Sequence, residues 1–149
     1  MNDNNLIFQD DETGGEIGPI EPEKPDEWKW SNKVLDALEN HGSVTTITVS
    51  LWNDLVERAQ EMLIYNNLNN IEIGENPYGF RKSMTYSELL TKSQMSTADK
   101  IIRASKFNYL RYCIGSVKST GLRDYEPGEV IKGEYFIKLT AALNKAMGH

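Results

Sequence analysis

Three stretches of this chain carry the same arrangement of apolar and polar positions. They are ITVSLWNDL at residues 47–55, IRASKFNYL at 102–110 and IKGEYFIKL at 131–139. Each opens on an isoleucine with a small or β-branched residue two places on. A cap-type or acidic residue follows (Ser50, Ser105, Glu134), then an aromatic (Trp52, Phe107, Phe136), then a leucine (Leu55, Leu110, Leu139). Beyond the leucines the apolar period stays near 3.6, through Val56, Ala59, Met62 and Leu63 in the first, Ile114 and Val117 in the second, and Leu143 and Met147 in the third. That period predicts an amphipathic helix in each case. Ser50 and Ser105 are suited to accept a first-turn N–H, and Glu134 suits the positive helix end. The isoleucine ahead of the start is placed to staple back onto the first turn. The spacings between the copies are unequal, so the chain is not a regular solenoid. The pattern is either a duplicated local design or a helix-start grammar reached independently.

A fourth helix is expected to begin near Asp26 or Ser31, with Trp28, Val34, Leu35 and Leu38 close to helical spacing and His41-Gly42 at its end. Residues 84–90 suit a short helix. Ser96 followed by Asp99 resembles a capping box. Asparagines at 66, 67, 69 and 70 and Asn76-Pro77 mark turns. The fold class expected is mainly α: a small bundle of about four helices with short extended lead-ins, spanning residues 28–149.

Residues 1–27 break this pattern. Gly14-Gly15, Gly18-Pro19, Pro22 and Pro25 work against a helix. The charge is concentrated here as well. Residues 1–30 hold nine acids and two lysines, a net of −7, whereas residues 31–149 hold thirteen acids and fourteen bases, a net of +1. The segment reads as an acidic, extended arm with three apolar points: Leu6-Ile7-Phe8, then Ile17, then Ile20. It is either a solvated tail or an arm that orders against a neighbouring subunit through those five residues.

Candidate chemistry adds little. The single cysteine, Cys113, excludes an internal disulfide and sits between apolar neighbours, as a packed residue would. With two histidines, His41 and His149, there is no basis for a histidine triad or a zinc cluster, and no phosphate loop, dinucleotide glycine pattern or nucleophile elbow is present. Asp54, Glu57 and Glu61 share one helical face with Arg58, as solvated faces do. No catalytic, cofactor or metal residue is expected. No apolar run is long enough to span a membrane, and the N-terminus lacks the features of a signal peptide. Lys100, Arg103, Lys106 and Arg111, interleaved with Tyr109 and Tyr112 and preceded by Arg81-Lys82, allow an alternative. Residues 86–117 can be drawn as a helix-turn-helix of a nucleic-acid-binding regulator. The near-neutral charge of residues 31–149 weighs against it.

From Lys106 to Leu143 the chain reads KFNYLRYCIGSVKSTGLRDYEPGEVIKGEYFIKLTAAL. Phe107, Asn108, Leu110, Arg111, Tyr112, Ile114, Gly115, the run Ser119-Thr120-Gly121, Gly128, Ile131, Gly133, Tyr135 and Phe136 form a phrase. It resembles one in tail- and fibre-associated structural proteins of bacteriophages and prophages of Gram-positive, clostridial-type hosts. The Leu51-Trp52-Asn53-Asp54-Leu55-Val56 stretch is similar to the start of a helix in the same family, so the resemblance spans roughly residues 30–147. Glu129 and Glu134 depart from its usual Asp and Ser. The resemblance implies a non-enzymatic virion component at the tail, baseplate or fibre attachment point. It would be assembled in the bacterial cytoplasm, present in many symmetric copies, with other virion proteins as partners and no cofactor.

Overall fold

The computed structural model describes residues 23–40, 46–74, 84–99 and 101–149. Among them are five helices and no strand: α1 (Asn32–Asn40), α2 (Val49–Tyr65), α3 (Tyr86–Ser93), α4 (Ala104–Gly115) and α5 (Gly133–Ala146). An isolated antiparallel bridge joins Glu72 to Thr85. The protein is a small, mainly α bundle. The arm residues Leu6, Ile7, Phe8, Ile17 and Ile20 lie outside the described residues, as do His41, Arg81, Lys82 and Lys100.

The three repeated stretches start their helices in one common register. Thr48, Arg103 and Lys132 are the N-caps, with φ near −75 to −79° and ψ from 153 to 167°. Ile47, Ile102 and Ile131 therefore stand at N′, and Trp52, Phe107 and Phe136 at N4, the two positions that form a hydrophobic staple. This corrects the caps expected at Ser50 and Ser105. Those serines and Glu134 fall at N2, inside the first turn. Thr48 supplies the cap of α2 by accepting from Leu51 N at 3.1 Å, while α4 and α5 have no side-chain cap. This register buries all three aromatics with Ile47 and Ile131, and Ile102 in part, worth about 1.5–3 kcal/mol for each fully buried side chain. A capping hydroxyl contributes about 1 kcal/mol.

All six repeat positions, Trp52, Leu55, Phe107, Leu110, Phe136 and Leu139, are 0% exposed. The aromatics meet in a cluster. Trp52 and Phe136 lie edge to face at 6.1 Å, and Phe107 meets Phe136 at 5.1 Å and Tyr125 at 5.7 Å. The starts of α2, α4 and α5 thus converge. The far ends of α2 and α5 also meet, where Asn66 Nδ2 donates to Ala146 O at 3.0 Å. These two helices run parallel.

The short α3 is real and well capped. Thr85 and Glu88 form a capping box, with Glu88 N on Thr85 Oγ1 at 3.1 Å and Thr85 N on Glu88 Oε1 at 2.8 Å. At its other end Trp52 Nε1 donates to Ser93 O at 2.8 Å, and Lys106 Nζ to Gln94 O at 2.6 Å. A cation there also suits the negative end of the helix. Ser96 and Asp99 do bond, Ser96 N donating to Asp99 Oδ2 at 2.8 Å, but they close a turn and no helix begins there.

The first helix starts at Asn32, with Ser31 Oγ accepting from Val34 N at 3.3 Å. The earlier start at Asp26 and the helical placement of Trp28 are corrected. Residues 23–31 form an extended strap along α5. Asn144 grips Trp28 on both sides, accepting from its N–H at 2.7 Å and donating to its carbonyl at 3.0 Å. Trp30 Nε1 donates to Thr140 Oγ1 at 3.0 Å, and His149 Nε2 lies 2.7 Å from Pro25 O. Arg58 donates to Asp26 O at 2.7 Å and sits over the Trp28 ring. The packed body includes chain ahead of residue 28, since Pro25 is buried in it.

Candidate partner-docking cleft

Where the three helix starts converge, their lead-ins do not close over the aromatic cluster. Residues 47–49, 101–105 and 127–131 border a cleft of about 790 Å³, within the usual size range of ligand pockets. Asn108, Tyr109 and Tyr125 also line it. Two large apolar residues border it in the open, Ile101 at 63% exposed and Val130 at 78%.

One wall is the segment from Arg123 to Ile131, held by a stack of groups. Asn108, buried on α4, accepts from Tyr125 N at 3.0 Å and donates to Tyr125 O at 2.8 Å. The Tyr125 ring stacks on Tyr135 at 5.0 Å and carries the Arg123 guanidinium at 4.4 Å on its centroid. Burial, then the neighbouring Tyr135, pushes the Tyr125 phenol upward. Arg123 in turn makes a forked ion pair with Glu129, at 2.8 and 3.0 Å. That pairing, with the Glu126 N–H, holds the Glu129 carboxyl down at about 2. Gly128 takes φ +89°, the left-handed conformation needed by the turn between them.

The electrostatics follow from these bonds. Among the described residues two carboxylates line the cleft, Glu129 ion-paired with Arg123 and Asp99 accepting from Ser96 N. The N-termini of α2 and α4 face the cleft through Thr48, Val49, Ala104 and Ser105, and each carries partial positive charge. Arg103 is exposed beside them. Among the described residues no histidine or cysteine lines the cleft. Among the described residues no group of three His, Cys, Asp or Glu side chains is placed to hold a metal ion, and no helix is long and apolar enough to cross a membrane. What the cleft offers is an apolar contact surface whose rim sets Arg103 and two helix N-termini beside Asp99 and the Arg123–Glu129 pair.

The residues singled out in the sequence fall elsewhere. The six repeat positions make the floor beneath the cleft rather than its lining. Cys113 is fully buried, and burial pushes its thiol up to about 12. Asp54, Glu57 and Glu61 are exposed on α2. Of the basic residues around α4, Lys106 is tied to the end of α3, and Arg111 is paired with Asp124.

The sequence does not show the backbone-pairing role of three asparagines, although Asn53 and Asn108 stand within the resemblance phrases. Asn53, Asn108 and Asn144 each donate to and accept from the backbone of one residue in an extended segment: Met95, Tyr125 and Trp28. An available signal existed for two of them. Asn53 and Asn108 occupy the same place in the first two repeats, directly after the aromatic. In the third repeat Ile137 stands there, and Asn144, two turns further along, makes the equivalent grip. Comparison with family models, with curated proteins and with solved structures finds no match.

Proposed function

We propose that this chain is a non-enzymatic structural component of a bacteriophage virion, at the tail, baseplate or a fibre attachment point. It holds neighbouring subunits through its arm and its helical domain, in several symmetric copies, after assembly in the bacterial cytoplasm. The observation that carries the reading is the cleft. It sits on a well-packed body, has two apolar residues exposed at its border, and the two described carboxylates that line it bond within the domain. That is the make-up of a contact surface.

The residues behind the family resemblance support the same reading, because they serve architecture. Phe107 and Phe136 build the core, and Asn108 pins the cleft wall. Gly121 and Gly128 take positive φ, and Gly133 lets α5 start against the backbone of Leu38. The regulator reading draws less support. In α4, the helix it would place in a DNA groove, Ala104, Phe107, Asn108, Leu110, Cys113 and Ile114 are all buried. Lys106 and Arg111 are engaged within the domain.

The test is the composition of gradient-purified particles induced from the bacterial host. The reading expects this chain among their proteins at constant stoichiometry. Its absence from intact particles would overturn the reading. So would tight, sequence-selective DNA binding that weakens steeply with salt and is lost on Arg103→Ala with Lys106→Ala.

A further inference from the structure

The cleft and the chain's N-terminal exit lie at opposite ends of the domain. Followed backward, the strap steps along α5 from Thr140 (Trp30) to Asn144 (Trp28) to His149 (Pro25). It thus runs antiparallel to α5 and away from the end where α2, α4 and α5 begin. Lys24 lies against Gly148, beside Tyr65, the last residue of α2. The cleft borders Thr48 and Val49, where α2 starts. The 17 residues of α2 separate the two places by about 25 Å.

The geometry points to a head-to-tail contact in which Leu6-Ile7-Phe8 of one copy enters the cleft of the next. This deepens the reading of the chain as an assembly component and rests on it. Three features select this occupant. The first is reach. Fifteen peptide units separate Phe8 from Glu23, so the triplet extends up to about 50 Å beyond the described chain. A domain of this size has a radius of gyration of about 14 Å. The second is direction. To reach its own cleft the arm must reverse and run back along the body, whereas a neighbour stacked beyond the exit presents its cleft without reversal. The third is chemistry. The triplet matches an apolar cleft bordered by Ile101 and Val130. It is flanked by Asp3 on one side and Asp10, Asp11 and Glu12 on the other, and residues 1–22 carry six acids and no base. Those acids suit two helix N-termini and Arg103. Of the described carboxylates that line the cleft, Glu129 is neutralised by Arg123, while Asp99 keeps its charge, held on one side by Ser96 N.

A contact of this kind is heterologous: the tail of one copy meets the head of the next. It builds a ring where the rotation closes and a filament where it does not. Deleting residues 1–22 therefore removes assembly and leaves the strap that packs on the body in place.

The experiment uses the full-length chain with cysteines introduced as Phe8→Cys and Val130→Cys. The native Cys113 is buried and stays out of the reaction. Mixing the two single variants under mild oxidation is expected to give a covalent dimer. The double variant is expected to give a ladder of multimers. In sedimentation, Val130→Glu with Ile101→Glu should weaken self-association at least tenfold and leave thermal melting unchanged, since both side chains are exposed. An intrachain disulfide in the double variant, no disulfide at all, or unaltered association of the glutamate variant would overturn the proposal. Particle-borne protein that shows no crosslink overturns the docking and leaves the virion reading standing. A ladder from protein absent from particles supports the docking and overturns the virion reading.

Discussion

Asn108 and Tyr125 are joined by two hydrogen bonds, 2.8 and 3.0 Å, in which a helix side chain pairs with backbone as a neighbouring strand would. Asn53 does the same for Met95, at 2.9 Å in both directions. Three extended segments of a strand-poor fold are satisfied in this way, since backbone groups taken out of water need partners. Asn108 is the most consequential of the three, being buried and standing between the aromatic core and the cleft wall. Asn108→Ala leaves a buried donor and acceptor on Tyr125 without their partner, at a cost of about 3 kcal/mol. Asn53→Ala, at a half-buried site open to replacement water, should cost about 1 kcal/mol. Denaturant melts of the two variants check this; equal losses would refute the ranking.

Gly133 begins α5 where α1 passes closest. A Cβ there would lie 2.5 Å from Leu38 O and 2.8 Å from Leu38 Cα, both backbone atoms that yield only if a helix moves. Gly133→Ala is expected to destabilise by about 1–3 kcal/mol, the usual range for overpacking. Gly115, the last residue of α4, has nothing within 4 Å of a Cβ and no positive φ. Gly115→Ala should stabilise by about 0.5–1 kcal/mol. Opposite signs in paired thermal melts are the expected outcome.

Cys113 should be silent in the folded protein. With its thiol pushed up to about 12, the thiolate at pH 8 is on the order of one part in ten thousand, and the sulfur has no route to solvent. A thiol-reactive disulfide reagent should modify no cysteine under native conditions and one after denaturation. Rapid native labelling would show that α4 opens locally.

The Arg123–Glu129 pair gives the cleft wall a defined response to acid. Glu129 has its folded value lowered from 4.5 to about 2. Its contribution is therefore complete above the ordinary carboxylate range and is lost as pH falls through about 2. The pair is solvent-exposed, so the effect is small. Melting temperatures of the native protein and Glu129→Gln should differ by a constant amount above about pH 5 and converge toward pH 2. A difference that grows on acidification would contradict the assignment.

Truncating any of the three N4 aromatics tests the convergence of the helix starts. Trp52→Ala, Phe107→Ala and Phe136→Ala should each cost about 3–5 kcal/mol. Because Phe136 touches both of the others, pairs that include it should be non-additive, measured by double-mutant cycles.

The sequence by itself determined the helices and the residues they bury. A staple, a 3.6-residue period and an aromatic followed by leucine are interactions between near neighbours, so Ile47, Trp52 and Leu55 announce their roles within nine residues. The capping box of α3 is local in the same sense, though the pattern marked only a short helix there. Even the exact cap was less legible, because Thr48 and Ser50 are both good caps and the choice fell to the burial of Ile47 with Trp52.

The tertiary structure decided everything that joins distant parts of the chain. The grips of Asn53, Asn108 and Asn144 bridge 42, 17 and 116 residues, and no local spacing encodes which backbone an amide will meet. The sequence of the strap at residues 23–31 reads as the end of an acidic arm followed by a helix start, and only Asn144, Thr140, His149 and Arg58, brought together around it, make it an extended strap. The same holds for the cleft. Ile101 and Val130 are written like any lead-in residue, and their exposure arises only because three helix starts converge on one end and leave an opening there. Local pattern chooses an element and its buried face, while the partner for that face is set by packing among elements far apart in the chain.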